Sequence, residues 1–248
     1  ADAALQRLYG GNLTLFKYQD AVRYLHEASQ CSAIAKKFQD RGTALKGAAK
    51  AEERLDNPLA AASFYCDAAR SFKKDDPQEA VVCLGHAVNL FCRVGRFGTA
   101  ARLECEVARI CELDRDDAEA SRHLMRAADF FHAETGHDHV ADRCIEQVAY
   151  NAGLAKDYGM AAELYEQLGR RCLDHCLQRF NAPALFLRSL LCTILGGHAA
   201  AVPTKAAALA RAAPLFRDSR EHLFAVNVAA AAAAGQPDPE ALAEHAYN

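Results

Sequence analysis

The 248-residue sequence contains no tryptophan, two methionines and only seven prolines. So few prolines leave room for long uninterrupted helices, and the Val-, Ile- and Thr-rich runs that mark strands are scarce in a text dominated by alanine. The bulk of the chain is therefore expected to be helical. No apolar run approaches the roughly 20 residues that a membrane-spanning helix needs, and the N-terminus lacks the basic, apolar and small-residue succession of a secretory signal. A basic excess is missing too. The formal net charge is −3, which argues against a general nucleic-acid binder, whose surface must carry many cations to release counterions. Also missing are a Gly-rich phosphate loop, a nucleophile elbow, a paired metal motif and a Ser-His-Asp spacing, so nothing in the text calls for an enzyme. What is present is 51% hydrophobic content, enough to bury a core, as expected of a soluble cytosolic protein.

Ten cysteines raise the question of a disulfide or metal framework, and neither fits. Cys66, Cys83, Cys105, Cys144 and Cys192 fall singly inside apolar helical stripes, where a thiol acts as a small buried hydrophobe in a reducing compartment. The best metal candidate is Cys172, His175 and Cys176, because positions i, i+3 and i+4 share one helical face, but a fourth ligand is lacking. His137 and His139, beside Gly136 and Asp138, read as exposed loop residues. No metal and no cofactor are expected.

The strongest positive feature is self-similarity. "PQEAVVCLGHAVNLF" from Pro77 aligns with "DAEASRHLMRAADFF" from Asp117, pairing Ala80 with Ala120, Leu84 with Leu124, Ala87 with Ala127 and Phe91 with Phe131 at a step of about 40 residues. A further step of about 41 carries Ala120 to Ala161, Leu124 to Tyr165 and Ala127 to Leu168. The intervening segments repeat as well: "FGTAARLECEVARIC" from Phe97 aligns with "HVADRCIEQVAYNAG" from His139, pairing Ala100 with Ala141, Leu103 with Cys144 and Val107 with Val148. Each repeat thus holds two amphipathic helices, with small Ala at close crossings and larger Leu, Tyr or Phe between them.

The expected fold is all-α: a tetratricopeptide-like α-α superhelix, a right-handed twisted sheet of antiparallel helical hairpins. Boundary signals agree. Asp76 is a good N-cap followed by Pro77 and Glu79, and Gly95 and Gly136 stand where a left-handed residue closes a helix. Helices are predicted near 17–30, 32–54, 58–74, 77–94, 97–113, 117–134, 138–154, 158–173, 182–195, 199–213, 219–234 and 238–247. Residues 1–16 read as an N-terminal apolar loop segment and 17–248 as one elongated solenoid domain.

Four stretches go further than the period. "FKKDDPQEAVVCL" (72–84), "VGRFGTAAR" (94–102), "MAAELYEQLG" (160–169) and "LFRDSRE" (215–221) resemble, in order and spacing, the soluble attachment proteins for the N-ethylmaleimide-sensitive factor (NSF), of the alpha type. The resemblance implies an adaptor that coats the assembled SNARE four-helix bundle and recruits the hexameric NSF-type AAA ATPase that unwinds it. It also implies which residues touch that bundle. Arg102 and Arg143, one repeat apart, stand at positions that are basic in the family, and Lys36, Lys73 and Lys74 fall on matching positions. Arg keeps the charge and can fork a carboxylate. There are departures: Pro183 lies where relatives carry Lys, and Glu146 and Gln147 interrupt the charge beside Arg143, which implies a less basic face.

At the N-terminus, Leu8, Tyr9, Leu13, Leu15 and Phe16 cluster around a Gly-Gly break. By themselves they suit a hydrophobic staple onto the first hairpin. The resemblance implies instead an exposed apolar loop that dips into the bilayer, hence a cytoplasmic protein in peripheral contact with membranes. The family's Leu-rich C-terminal helix and acidic tail, which engage the ATPase, are not expected within these 248 residues. The chief rival reading is a generic tetratricopeptide-like scaffold that binds peptide tails in its concave groove.

Overall fold

The computed structural model describes residues 2–175 and 178–234, with side chains from Leu15 onward. Among the described residues the chain is all-α and holds no strand. The helices are α1 (Asp2–Ile34), α2 (Phe38–Arg54), α3 (Pro58–Phe72), α4 (Pro77–Arg93), α5 (Phe97–Leu113), α6 (Asp117–His132), α7 (Asp138–Leu154), α8 (Tyr158–Asp174), α9 (Ala182–Leu195), α10 (Val202–Ala212), α11 (Pro214–Arg217) and α12 (Arg220–Ala233). Short 3-10 turns precede α9 and α10.

The chain forms two compact units, one through Ala141 and one from Asp142. In the first, each helix from α1 to α6 packs on the next, and the tight turns between them make neighbours antiparallel, as in tetratricopeptide-like hairpins. In the second, α8 packs on α9, which in turn meets α10, α11 and α12.

The sequence repeat is the buried core. Ala80, Ala120 and Ala161 are buried, as are Leu84 and Leu124, Ala87 and Ala127, and Phe91 and Phe131. Ala100 and Ala141, and Val107 and Val148, match in the same way. The small alanines let the helix axes approach closely, and the large side chains fill the space between. In the second unit the α8–α9 approach is tightest at Gly169, where a Cβ would lie 2.5 Å from the Phe186 ring.

Helix ends follow local chemistry. The Asp76 carboxylate accepts from the Glu79 N–H at 3.1 Å, and Asp116, Asp157 and Ser219 cap α6, α8 and α12 in the same way. Gly95 and Gly136 take φ of 73° and 86°, as expected of closing residues. Six helix-closing turns share one bond, from an N–H to the carbonyl five residues earlier. Lys37 to Ser32, Asn57 to Glu52, Arg96 to Phe91, Asp116 to Cys111, Asp157 to Ala152 and His198 to Thr193 span 2.9–3.1 Å, the signature of a left-handed helix stop.

Three expectations need correction. The N-terminal segment expected as a loop is helical backbone, since α1 begins at Asp2 rather than near 17. A Gly pair weakens a helix by about 1 kcal/mol per residue relative to Ala but does not forbid it. The second helix starts at Phe38, not 32, because Lys36 adopts φ of 55° and reverses the chain without any glycine. The helix expected at 199–213 begins as a 3-10 turn and is α-helical only from Val202 to Ala212, and an unpredicted short helix, α11, follows because Pro214 forces Ala213 into an extended conformation. The predicted helix at 238–247 lies outside the described residues.

Of the five cysteines expected in the core, Cys83 and Cys144 are buried, whereas Cys66, Cys105 and Cys192 are half-buried. Burial pushes Cys66 and Cys83 each up to about 11 and also raises Cys92, Cys111, Cys172 and Cys192. The helical register proposed for Cys172 and His175 is lost, because α8 ends at Asp174 and His175 is extended; Cys176 lies outside the described residues. His137 stacks on Phe131 with centroids 6.0 Å apart.

Candidate functional site

The first unit carries four of the five predicted cations. Arg102 lies in the second turn of α5 and is exposed, while its neighbours Ala100 and Ala101 are buried. The helical period decides this: Ala100, Ala101, Glu104, Val107 and Ala108 mark the inner face, and Arg102 falls opposite. Lys73 caps the C-terminal end of α3, where a cation also complements the helix dipole, and Lys74 follows it in the exposed turn.

Lys73 is not an isolated charge. Its Nζ lies 3.0 Å from Glu106 Oε1 on α5, and Glu106 stands one helical turn beyond Arg102. The fold therefore brings Lys73 to the α5 helix that bears Arg102, against the Glu106 carboxylate. An exposed pair of this kind contributes little to stability, but it orients the lysine and offsets part of its charge. Lys36 sits in the α1–α2 turn, exposed.

In the second unit Arg143 repeats the setting of Arg102. It is exposed on α7 beside buried Ala141 and Cys144. The two residues that interrupt its charge have partners of their own. Glu146 accepts from Arg188 of α9, and the Gln147 amide donates to Asn151 Oδ1 at 3.1 Å. Glu146 is thus offset within the unit. The Arg188 guanidinium also stands 5.7 Å from the centre of the Tyr165 ring.

Of the predicted membrane-contact residues, Leu15 is 44% and Phe16 is 60% exposed. Leu8, Tyr9 and Leu13 lie on the helical backbone of α1, and their side chains are outside the described ones. No helix among the described residues is long and apolar enough to cross a membrane, and no group of three or more His, Cys, Asp or Glu there could hold a metal ion. Sequence reasoning missed the Lys73–Glu106 pair, since two residues 33 apart leave no local signal. It also missed Tyr24, 59% exposed with Arg23 stacked on its ring.

The chain matches the family described as soluble NSF attachment protein, SNAP, over residues 3–248. It is 28% identical over 228 residues to an alpha-soluble NSF attachment protein of Vitis vinifera, an alignment that covers 92% of this chain and 78% of that one. With the alpha-soluble NSF attachment protein of Homo sapiens the identity is 33% over 186 residues, covering 75% of this chain and 62% of the relative. With the vesicular-fusion protein SEC17 of Komagataella phaffii it is 25% over 238 residues, covering 94% and 79%. The chain spans less than two thirds of the human relative's length. With a match that runs from residue 3 to residue 248, the chain belongs to the soluble NSF attachment protein family.

Proposed function

We propose that this chain is an attachment adaptor: it binds the assembled SNARE four-helix bundle and presents it to a hexameric NSF-type ATPase for disassembly in vesicle traffic. Relatives bear names that speak of attachment to NSF and of vesicular fusion, and adaptors of this kind have no chemistry of their own. The reading therefore assigns no catalytic residue. The observation that carries it is the equivalence of Arg102 and Arg143, which lie on two helices one repeat apart, each exposed opposite a buried alanine-rich face. Lys36, Lys73 and Lys74 add to the same contact, with Lys73 held by Glu106. Each rim charge contributes ~0.5 kcal/mol, so the set acts together.

The same reading places the protein in the cytoplasm, in reversible contact with membranes. Leu15 and Phe16 supply exposed apolar surface, with Leu8, Tyr9 and Leu13 joining them in sequence. Such residues gain interfacial binding free energy, and confinement to the bilayer raises the effective concentration near anchored partners.

The deciding experiment is binding of Arg102→Glu with Arg143→Glu to an assembled SNARE bundle. Affinity is expected to fall more than about tenfold, because each reversal replaces an attraction by a repulsion, while the circular dichroism spectrum stays unchanged. Full binding by the double variant would remove these arginines from the contact.

A further inference from the structure

The turns differ from one another in a way the adaptor reading does not use. Seven of the described residues adopt positive φ. Gly95, Gly136 and Gly197 do so without steric cost, but Lys36, Asp56, Arg115 and Lys156 also do, at 55°, 55°, 62° and 65°. A residue with a Cβ is strained there, and such strain persists in folded proteins chiefly where something else requires the side chain.

Three of these four strained residues are cations. Each stands two positions after a large exposed aliphatic residue: Ile34 before Lys36, Leu113 before Arg115 and Leu154 before Lys156, with the aliphatics 85%, 79% and 63% exposed. All three turns lead from an odd-numbered helix to an even-numbered one, α1 to α2, α5 to α6 and α7 to α8. The turns of the opposite sense at α4–α5 and α6–α7 use Gly95 and Gly136, while α9–α10, of the same sense and also after an exposed leucine (Leu195, 63%), uses Gly197 and so carries no cation. In the first unit, antiparallel packing puts the α1–α2, α3–α4 and α5–α6 turns along one edge. The Gln78 amide, donating to Asp114 Oδ2 at 3.4 Å, links the last two. Lys73 and Lys74 occupy the middle turn.

Acidic residues share these turns, but they are engaged within the protein. Asp116 accepts from the Glu119 N–H at 3.0 Å, Asp157 accepts from the Met160 N–H at 3.1 Å and Asp114 accepts from Gln78. The cations are different: Lys36, Arg115 and Lys156 are exposed and make no ion pair among the described residues. Each turn thus presents an exposed aliphatic side chain and an exposed cation two residues on, beside Lys37 in the first turn and the exposed but hydrogen-bonded Asp114, Asp116 and Asp157 in the others.

We propose that these aliphatic-X-cation turns are contact points for an acidic helical partner, the aliphatic side chain seating between the partner's side chains while the cation pairs with a carboxylate. The inference rests on the adaptor reading for its partner, and it adds an apolar component to a contact otherwise made of rim charges. Such a component resists salt, because burial of apolar area is unscreened, whereas exposed ion pairs weaken over a Debye length of about 8 Å at physiological ionic strength.

Two variants test this against an assembled SNARE bundle at low and high salt. Leu113→Ser with Leu154→Ser is expected to weaken binding about tenfold, to the same degree at both salt concentrations. Arg115→Gly with Lys156→Gly is expected to weaken binding about threefold per turn, chiefly at low salt. The same glycine variant should raise Tm by about 4 °C, because the left-handed strain is relieved. A glycine variant that gains stability and binds as well as the parent would show the cations to be mere turn residues and overturn the proposal. So would serine variants that keep bundle affinity and lose only affinity for phosphatidylserine vesicles. If the parent chain fails to bind the bundle, the adaptor reading itself falls, an outcome distinct from intact parental binding with unaffected variants.

Discussion

Glu104 shows how one residue can depart from its repeat without breaking it. Equivalent repeat positions hold Tyr65, Glu104, Ile145 and Phe186, all buried, so a carboxylate 2% exposed takes a place that the other repeats give to large apolar side chains. Its partners come from α6: His123 Nδ1 at 2.5 Å and Arg126 at 3.0 Å. Such a network adds little net stability, yet it fixes the pairing of α5 with α6, because a slipped register would leave the charge unpaired. Tyr65 meets its own polar end differently, donating its hydroxyl to Glu53 at 2.6 Å and stacking on His86. Glu166 gives the acid-sensitive case. Burial alone would raise its carboxyl, but hydrogen bonds from Arg170 and Lys205 outweigh it and hold the group below the ordinary value of 4.5. A depressed carboxyl contributes stability above its unfolded value and loses it as pH falls through the lower folded one. Replacing Glu166 by Gln should therefore cost stability at pH 7 and flatten the loss of stability below about pH 4.5. Urea melts across that range check it, and parallel acid limbs for parent and variant would refute the assignment.

At the scale of elements, what distinguishes one turn from the next is the residue given to the left-handed position. Asp56 closes α2 with φ of 55° and has no aliphatic residue exposed beside it as the cationic turns have, since Leu55 is half-buried. Its strain therefore has no proposed use, and Asp56→Gly should stabilise the chain by about 1 kcal/mol. A rise in the urea midpoint with an unchanged slope is the expected reading, and a fall would mean that the Asp56 side chain does more than fill the turn. Helix starts were easier to read than helix stops. Asp76 and Asp116 cap α4 and α6, and Pro58 at the first position opens α3, through chemistry confined to a few residues. The stops at Lys36, Arg115 and Lys156 carry no glycine, and that is why the start of α2 was placed six residues early.

For the whole molecule, a net charge of −3 conceals a local distribution that a net value cannot show. Binding to an acidic bundle should fall several-fold between 50 and 300 mM salt, while helix content stays constant, because the core of Ala, Leu and Phe has no charge to screen. Equal affinity at both salt concentrations would contradict a contact led by Arg102 and Arg143. The sequence by itself determined the all-α class, the hairpin period and the inward face of most helices. These depend on side-chain periodicity and on cap residues acting within one or two turns, both of which are local. It also carried the family's motifs, and with them the candidate cations. Only the tertiary structure decided which charges are spoken for: Lys73 meets Glu106 and Glu146 meets Arg188, pairs formed by packing between helices far apart in the chain. It likewise decided that Ile34, Leu113 and Leu154 face outward, because exposure at a helix end depends on which neighbour covers it, and no local pattern states that.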